Sequence, residues 1–364
     1  MRLELVRRPE PSRLMSVLSP VIAIVMTLIL GAVLFTALGV NPAQALYVYF
    51  VEPVTQLWSL EELVVKAAPL ALIAIGLALC YRANVWNIGA EGQFTAGAIF
   101  GSAIPILLPD WDSWMVLPLM LILGVIGGML YAAIPAILKN RFGANEILTS
   151  LMLSYIALLV LDWLVRGPWR DPGSFNFPQS VTFSDAATLP LLVSDGRLHV
   201  GVLFAVLAAL IAAIRLSFSV QGFAIEVAGN APRAARFSGF SQKRITLSVF
   251  LISGGLAGLA GICEVSGVLN QLRPEISPGY GFAAIIVAFL GRLNPLAILL
   301  AALLLALSYI GGEGAQAELA VSSTVTRLFQ GFLLLMILGC DTLIAYKIRL
   351  VTSRSHASGE AARG

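Results

Sequence analysis

The chain has 364 residues, 58% of them hydrophobic and only 12% charged, with a net charge of +3. A soluble domain carries about a quarter charged residues and slightly under half apolar ones, so the composition excludes a soluble globular enzyme, a disordered chain and a coiled coil. The 33 glycines and 18 prolines follow no triplet period, which excludes a collagen-like chain, and leaves an all-α polytopic membrane protein.

Other chemistries lack material. The basic residues are scattered between apolar runs and form no contiguous patch for nucleic acid. Cys80, Cys263 and Cys340 lie in apolar stretches, with no CxxC or Cys/His spacing, so neither a disulfide framework nor a metal site is expected. His199 and His356 are the only histidines. No GxxxxGK[ST] loop is present, so the chain binds no ATP by that route.

A helix needs about 20 apolar residues to cross a bilayer core of roughly 30 Å. In chain order the runs near that length are 14–38, 63–81, 85–108, 115–138, 147–165, 198–215, 245–269 and 325–346. Residues 295–311 are shorter, and 281–291 are too short for a straight crossing. Together they predict ten segments. The first is followed by Ala43-Gln44-Ala45, which has the look of a signal cleavage site, but its apolar run is about twice a signal h-region and reads as a retained anchor.

Lys and Arg stay on the cytoplasmic side. With ten crossings and the N-terminus inside, seventeen of the 23 basic residues fall inside and six outside. Dropping the short segment nearly abolishes that bias. The expected layout is a cytoplasmic N-terminus (1–13), a transmembrane region (14–346) with an external loop at 166–197 and an internal loop at 216–244, and a polar, disordered cytoplasmic tail (347–364).

The third segment opens on Asn84-Val85-Trp86-Asn87-Ile88-Gly89-Ala90-Glu91-Gly92-Gln93. Such residues are poorly placed against lipid, so protein or water in a cavity must satisfy them. The plain alternative is a cytoplasmic turn with Asn87 as the helix cap. Ser277-Pro278-Gly279-Tyr280-Gly281-Phe282 precedes the half-length eighth segment in a similar way, but from the outside. Segments 2–5 and 7–10 thus match in order and run oppositely, the pattern of a transporter whose path lies between inverted halves. Gly254 and Gly258, with Ser253, Ala257 and Gly261, recur at i, i+4 in the seventh segment, as Gly124 and Gly128 do in the fourth, and read as close helix packing. Asp162, Glu264 and Asp341 are ionisable groups within apolar runs that lie toward span ends, which is shallow for a proton relay.

In the internal loop Asn230 can cap, Pro232 suits a first turn, Ala234 and Ala235 propagate a helix, and Gly239 stops it. This short helix either docks on a soluble partner or is a solvated loop whose Arg233, Arg236, Lys243 and Arg244 hold the topology.

Several stretches then carry a resemblance: Asn87-Ile88-Gly89-Ala90-Glu91-Gly92-Gln93, Gly143-Ala144-Asn145-Glu146, Gly167-Pro168-Trp169-Arg170-Asp171-Pro172, Phe177-Pro178-Gln179-Ser180, Gly229-Asn230-Ala231-Pro232-Arg233-Ala234-Ala235 and Gly279-Tyr280-Gly281-Phe282. From about residue 14 to 346 the chain resembles the permease subunits of bacterial ABC importers of the ribose and branched-chain amino-acid superfamily, most of all the nucleoside (guanosine-type) uptake permeases. The resemblance implies a type II-like importer permease in the inner membrane, with both termini cytoplasmic. Implied partners are a second, homologous permease subunit, ATP-binding subunits that carry ATP and Mg, and an extracytoplasmic substrate-binding lipoprotein. No cofactor belongs to this chain. By the same analogy Ala231, Pro232, Arg233, Ala234, Ala235, Arg236, Phe237 and Gly239 couple to the ATPase.

A neutral nucleoside asks for hydrogen-bond partners and flat apolar surfaces. The translocation candidates are Asn87, Gln93, Asn270, Gln271 and Tyr280 for hydrogen bonds, Trp86 and Phe282 for stacking at roughly 1–3 kcal/mol. Glu91 either lines the path or steadies the start of the third helix. The competing readings are import of a sugar or other small solute and, as another class, a proton-coupled carrier.

Overall fold

The computed structural model describes residues 2–7, 13–193 and 196–351. Its helices are α1 (Arg13–Ala37), α2 (Pro42–Phe50), α3 (Glu52–Thr55), α4 (Leu57–Arg82), α5 (Ala90–Leu107), α6 (Val116–Phe142), α7 (Glu146–Arg166), α8 (Gly201–Phe218), α9 (Val220–Asn230), α10 (Pro232–Phe237), α11 (Gln242–Glu264), α12 (Tyr280–Leu290), α13 (Pro295–Leu319) and α14 (Ser323–Ala345). Every expected apolar run coincides in large part with one of them. Among the described residues six helices are long and apolar enough to cross a membrane: α4, α6, α7, α8, α13, and α11 with its extension to Leu269. Val21–Ala37, Tyr280–Leu290 and Ser323–Ile337 are shorter apolar helices. Of the ten expected segments, six thus meet the length and hydropathy requirement among the described residues. The third segment is shorter than expected because residues 85–89 are not helical, and its helix opens on Glu91 and Gln93.

The chain divides into two compact units, residues 1–49 with 312–364, and residues 50–311. In the first, α1 packs on α14. A Cβ on Gly31 would meet the Phe329 ring at 3.0 Å or less, so a bare backbone is needed there. The Tyr49 ring lies 5.5 Å from Phe35 and 5.8 Å from Phe329, and its hydroxyl is 2.9 Å from Thr326 Oγ1.

This unit adds a feature that the apolar runs do not announce. Arg2–Arg7 and Tyr346–Val351 form an antiparallel two-stranded ribbon with Arg2 opposite Val351, a short addition to an otherwise all-α chain that takes in the first residues of the expected tail. Both segments alternate apolar and polar residues, the period of a strand. The rest of the tail, with His356, lies outside the described residues.

In the second unit α4 is apolar all round, and everything from Ala67 to Tyr81 is buried, as befits a helix enclosed by others. It packs on α11, α12 and α8. The expected small-residue faces meet as predicted. A Cβ on Gly128 would overlap the Gly254 carbonyl, one on Gly258 the Gly124 carbonyl, and one on Gly261 the Phe94 carbonyl. Helices α5, α6 and α11 therefore touch backbone to backbone, which only glycine permits.

The external loop caps this unit. Ser180 N donates to the Leu272 carbonyl (2.9 Å), Phe183 N to Asn270 O (2.8 Å) and Leu189 N to Ser266 O (2.9 Å). The loop thus runs beside the π-helical turn Val265–Leu269 that ends α11. The internal loop is more ordered than expected, since α9 occupies its first half. Asn230 closes α9 and does not cap α10; the residue before Pro232 is Ala231, which makes no side-chain cap.

Candidate functional site: two broken helices and an exposed coupling helix

The site begins where the backbone leaves helical geometry. Asn84 has φ +54°, and the chain stays non-helical until Ala90. Buried peptide groups without a helix need other partners, and these come from neighbouring side chains. Tyr81 donates its hydroxyl to the Asn87 carbonyl (3.1 Å), Ile88 N donates to Ser150 Oγ (3.1 Å), and Gly92 N to Ser154 Oγ (3.3 Å). The expected need for protein partners is met by serines one turn apart on α7, which sequence reading missed.

Asn87, fully buried, ties the break together. Its Nδ2 donates to Gln93 Oε1 (2.9 Å) and Ser253 Oγ (3.1 Å), and its Oδ1 accepts from Gly89 N and Gln93 Nε2 (both 3.0 Å). The two amides satisfy each other head to tail, and Ser253 joins them to α11. In this conformation Asn87 and Gln93 face one another. Asn87 also does not act as the cap of α5; that position is Gly89.

Glu91 acts across the fold. Its Oε2 accepts from Gly281 N at 2.6 Å, and its carboxylate also takes the Ser277 hydroxyl and the Phe282 amide. Ser277 Oγ in turn accepts from Gly279 N (3.0 Å) and Tyr280 N (2.8 Å). A carboxylate at a helix N-terminus satisfies orphan amides and complements the dipole. Glu91, from the first turn of α5, thus serves the first turn of α12. Gly281 allows this approach, because a Cβ there would overlap the Glu91 backbone. The two broken helices, in matching places in the proposed halves, begin at one point.

Three of the remaining pathway candidates, Trp86, Tyr280 and Phe282, lie around this junction. Tyr280 is buried with its ring edge-on to Phe94 (6.2 Å) and Tyr309 (5.7 Å), and Phe282 is half-buried. Trp86, 38% exposed, stacks 6.1 Å from Phe289, and Tyr81 lies between them at 5.2 Å from each ring. Beside this aromatic cluster is a cavity of about 530 Å³ lined by Tyr81, Arg82, Asn84, Glu226, Asn230 and Arg292. Asn270 (φ +54°) and Gln271 are elsewhere, under the external loop. Gln271 sits among Gln179, Thr182 and Arg273, and Asn270 Oδ1 is buried with no protein partner.

At the same end His199 is 2% exposed. It lies in the loop just before α8, since that helix starts at Gly201, later than the expected 198. Its Nδ1 accepts from Gly201 N at 3.1 Å, and Nε2 has no protein partner. Burial pulls its pKa down to about 4, against the opposing pull of Glu62. Glu62 itself pairs with Arg197 (3.3 Å) and Lys66 (4.0 Å).

The coupling candidates form one element. Helix α10 begins with Pro232 at its first turn, and Gly239 (φ +83°) follows its end. Ala235 is buried and anchors it, while Ala231, Pro232, Arg233, Ala234, Arg236 and Gly239 are exposed. Phe237 is 94% exposed. The preceding α9 presses Gly229 so close to Arg82 that a Cβ would overlap the Arg82 carbonyl.

Six apolar helices of membrane length among the described residues define a multi-pass membrane protein. Residues 59–338 match the family described as the branched-chain amino acid transport system / permease component, and the chain belongs to it. It is 36% identical to the glucose ABC transporter permease protein TsgB13 of Haloferax volcanii, over 92% of this chain and 90% of that one. It is 30% identical to the guanosine ABC transporter permease protein NupP of Bacillus subtilis (95% and 99%) and 30% identical to the nucleoside ABC transporter permease protein NupB of Lactococcus lactis (82% and 84%). The chain is accordingly an ABC transporter permease, a transport component and not itself the ATPase.

Proposed function

We propose that this permease imports a nucleoside, taking it from an extracytoplasmic binding lipoprotein and releasing it to the cytoplasm by alternating access. It works with a second permease subunit, a homologue, and with ATP-binding subunits that hold ATP and Mg. The membrane is the plasma (inner) membrane, ten segments cross it, and both termini are cytoplasmic; the pairing of Arg2–Arg7 with Tyr346–Val351 supports the two ends sharing a side. The halves have the inverted arrangement of a type II-like permease, supported by the common starting point of α5 and α12.

The observation that carries the mechanism is Phe237, bare on α10, one helix away from the broken backbone. An ATPase groove that takes up Phe237 and is flanked by Arg233 and Arg236 moves α10. Because α9 bears on the Arg82 carbonyl through Gly229, the displacement reaches the 83–89 stretch directly. Trp86 and Phe282 offer the stacking faces, with Tyr280, Asn270 and Gln271 along the path. Asn87, Gln93 and Glu91 hold the two half-helices in register and exchange partners as the path opens. The cavity by Arg82 and Arg292 is the inner mouth.

A sugar is the second reading, favoured by the likeness to the glucose permease. Uptake into proteoliposomes containing the complete transporter separates them. Labelled guanosine accumulates, and a hundredfold excess of unlabelled glucose leaves that unchanged. Glucose uptake without guanosine uptake overturns the nucleoside assignment.

A further inference from the structure

A cavity of about 350 Å³ lies along one flank of α8, away from the junction of the half-helices. Its walls are Phe204, Leu207 and Ile211 of α8, with Leu79 of α4 and Leu256 and Leu259 of α11. Leu207 and Ile211 are more than half exposed. Where α8 gives way to α9 the cavity is lined by Arg215, Ser219 and Gln221, with Gly222 and Ile225 of α9 beside them. Arg215 is the only charged residue lining it. The Arg215 guanidinium donates to Gln221 Oε1 and makes no ion pair among those described.

The dimensions identify the occupant. From Phe204 to Arg215 the helix rises about 16 Å at 1.5 Å per residue. That is about half of a ~30 Å hydrocarbon core, the depth of one leaflet. A partner helix crossing the bilayer would need a surface along the whole of that thickness. A groove one leaflet deep, apolar along its length and cationic only at its interfacial end, complements a fatty-acyl chain attached to an anionic headgroup. We propose that it is a binding site for an anionic phospholipid of the leaflet on the side of the 216–244 loop, the acyl chain along α8 and the phosphate on Arg215. The proposal rests on the chain spanning a membrane, and it is independent of what the permease transports.

The lipid also bears on coupling by position. Its headgroup site includes Ser219 and Gln221 at the start of α9, the helix that joins α10 to the Arg82 backbone.

The test uses the full chain in phosphatidylcholine nanodiscs carrying a trace of phosphatidylglycerol or phosphatidylcholine with a diazirine on the acyl chain. After photolysis, labelled peptides are located by mass spectrometry. The expected result is labelling within Phe204–Arg215 about fivefold stronger with phosphatidylglycerol, the preference one basic residue at a membrane surface confers. Arg215→Gln should bring the ratio near one, and Arg215→Lys should retain it. Ala208→Phe should reduce labelling by both lipids. Monodisperse elution of each variant controls for folding. Equal labelling by the two lipids, or a preference that survives Arg215→Gln, overturns the proposal. So does disulfide capture of a second protein chain at Leu207→Cys with no lipid labelled. Should ATP-driven uptake fail for every solute while the phosphatidylglycerol preference holds, the transport reading falls and the lipid site stands.

Discussion

The half-helix junction and the α9–α10 loop treat unfavourable residues in opposite ways. At the junction polar side chains are buried, and Asn87, Gln93, Ser253 and Glu91 bond to one another and to broken backbone until little is left for solvent or solute. In the loop an aromatic ring is pushed into the open, with Phe237 94% exposed next to Arg236. Buried polar groups must find partners inside the chain, since leaving one unpaired costs about 1–3 kcal/mol. An exposed ring carries no such demand, and on the proposed mechanism its partner is the ATP-binding subunit. On the proposed mechanism the first region is architecture that rearranges for transport, and the second is the handle by which the ATPase moves it.

Breaking the architecture should have the largest effect. Gly258→Leu drives a side chain into the Gly124 carbonyl, and overpacking of this kind costs ~1–3 kcal/mol even where neighbours can shift. Here the neighbour is backbone, so loss of monodisperse protein in size-exclusion chromatography is expected. A normally folded variant would show that α6 and α11 do not pack as described.

Phe237→Ala should do the reverse. Thermal stability should stay within ~0.5 kcal/mol of the parent, as for surface substitutions in general, while ATP-driven uptake falls at least tenfold. Unchanged uptake would remove Phe237 from the coupling surface.

Glu91 sharpens the contrast, because its two replacements separate charge from hydrogen bonding. Glu91→Ala leaves the Gly281 and Phe282 amides unserved and should lower stability by about 1–3 kcal/mol, read as a shifted melting midpoint. Glu91→Gln keeps an acceptor and should lose less than half of that. If Ala is tolerated as well as Gln, the carboxylate does not hold α12.

The smallest effect is the pH response of His199. Its pKa is about 4 in the fold against ~6.5 unfolded, so the unfolded chain binds the extra proton first as pH falls. Its contribution is whole above pH ~6.5 and is lost between there and about 4, at most ~3 kcal/mol. Melting midpoints of parent and His199→Gln between pH 7.5 and 4.5 should converge as pH falls. Parallel curves would place His199 in water.

What the sequence revealed follows from range. Close packing was readable because Gly254 and Gly258, or Gly124 and Gly128, sit one turn apart, and α10 was readable because Pro232 and Gly239 bracket it. Helix α9 was missed because Gly222 and Gly229 look like loop residues; they are there because α9 lies against Arg215–Leu216 and Arg82. Locally Glu91 reads as path-lining or as serving its own helix, while the Gly281 amide it accepts from is 190 residues away. Asn87 and Gln93 were candidates for solute contact for the same reason, since nothing local announces Ser253. The terminal ribbon carried a local signal, alternation over 2–7 and 346–351, which a reading centred on apolar runs passed over.

The claim most exposed to experiment is that this chain is a gate without a motor. Proteoliposomes holding it with its ATP-binding subunits and binding protein should accumulate labelled solute only when ATP is supplied, and a protonophore should make no difference. The same vesicles with this chain alone should accumulate none. Uphill accumulation by the chain alone, under an imposed proton gradient or without one, would contradict the account.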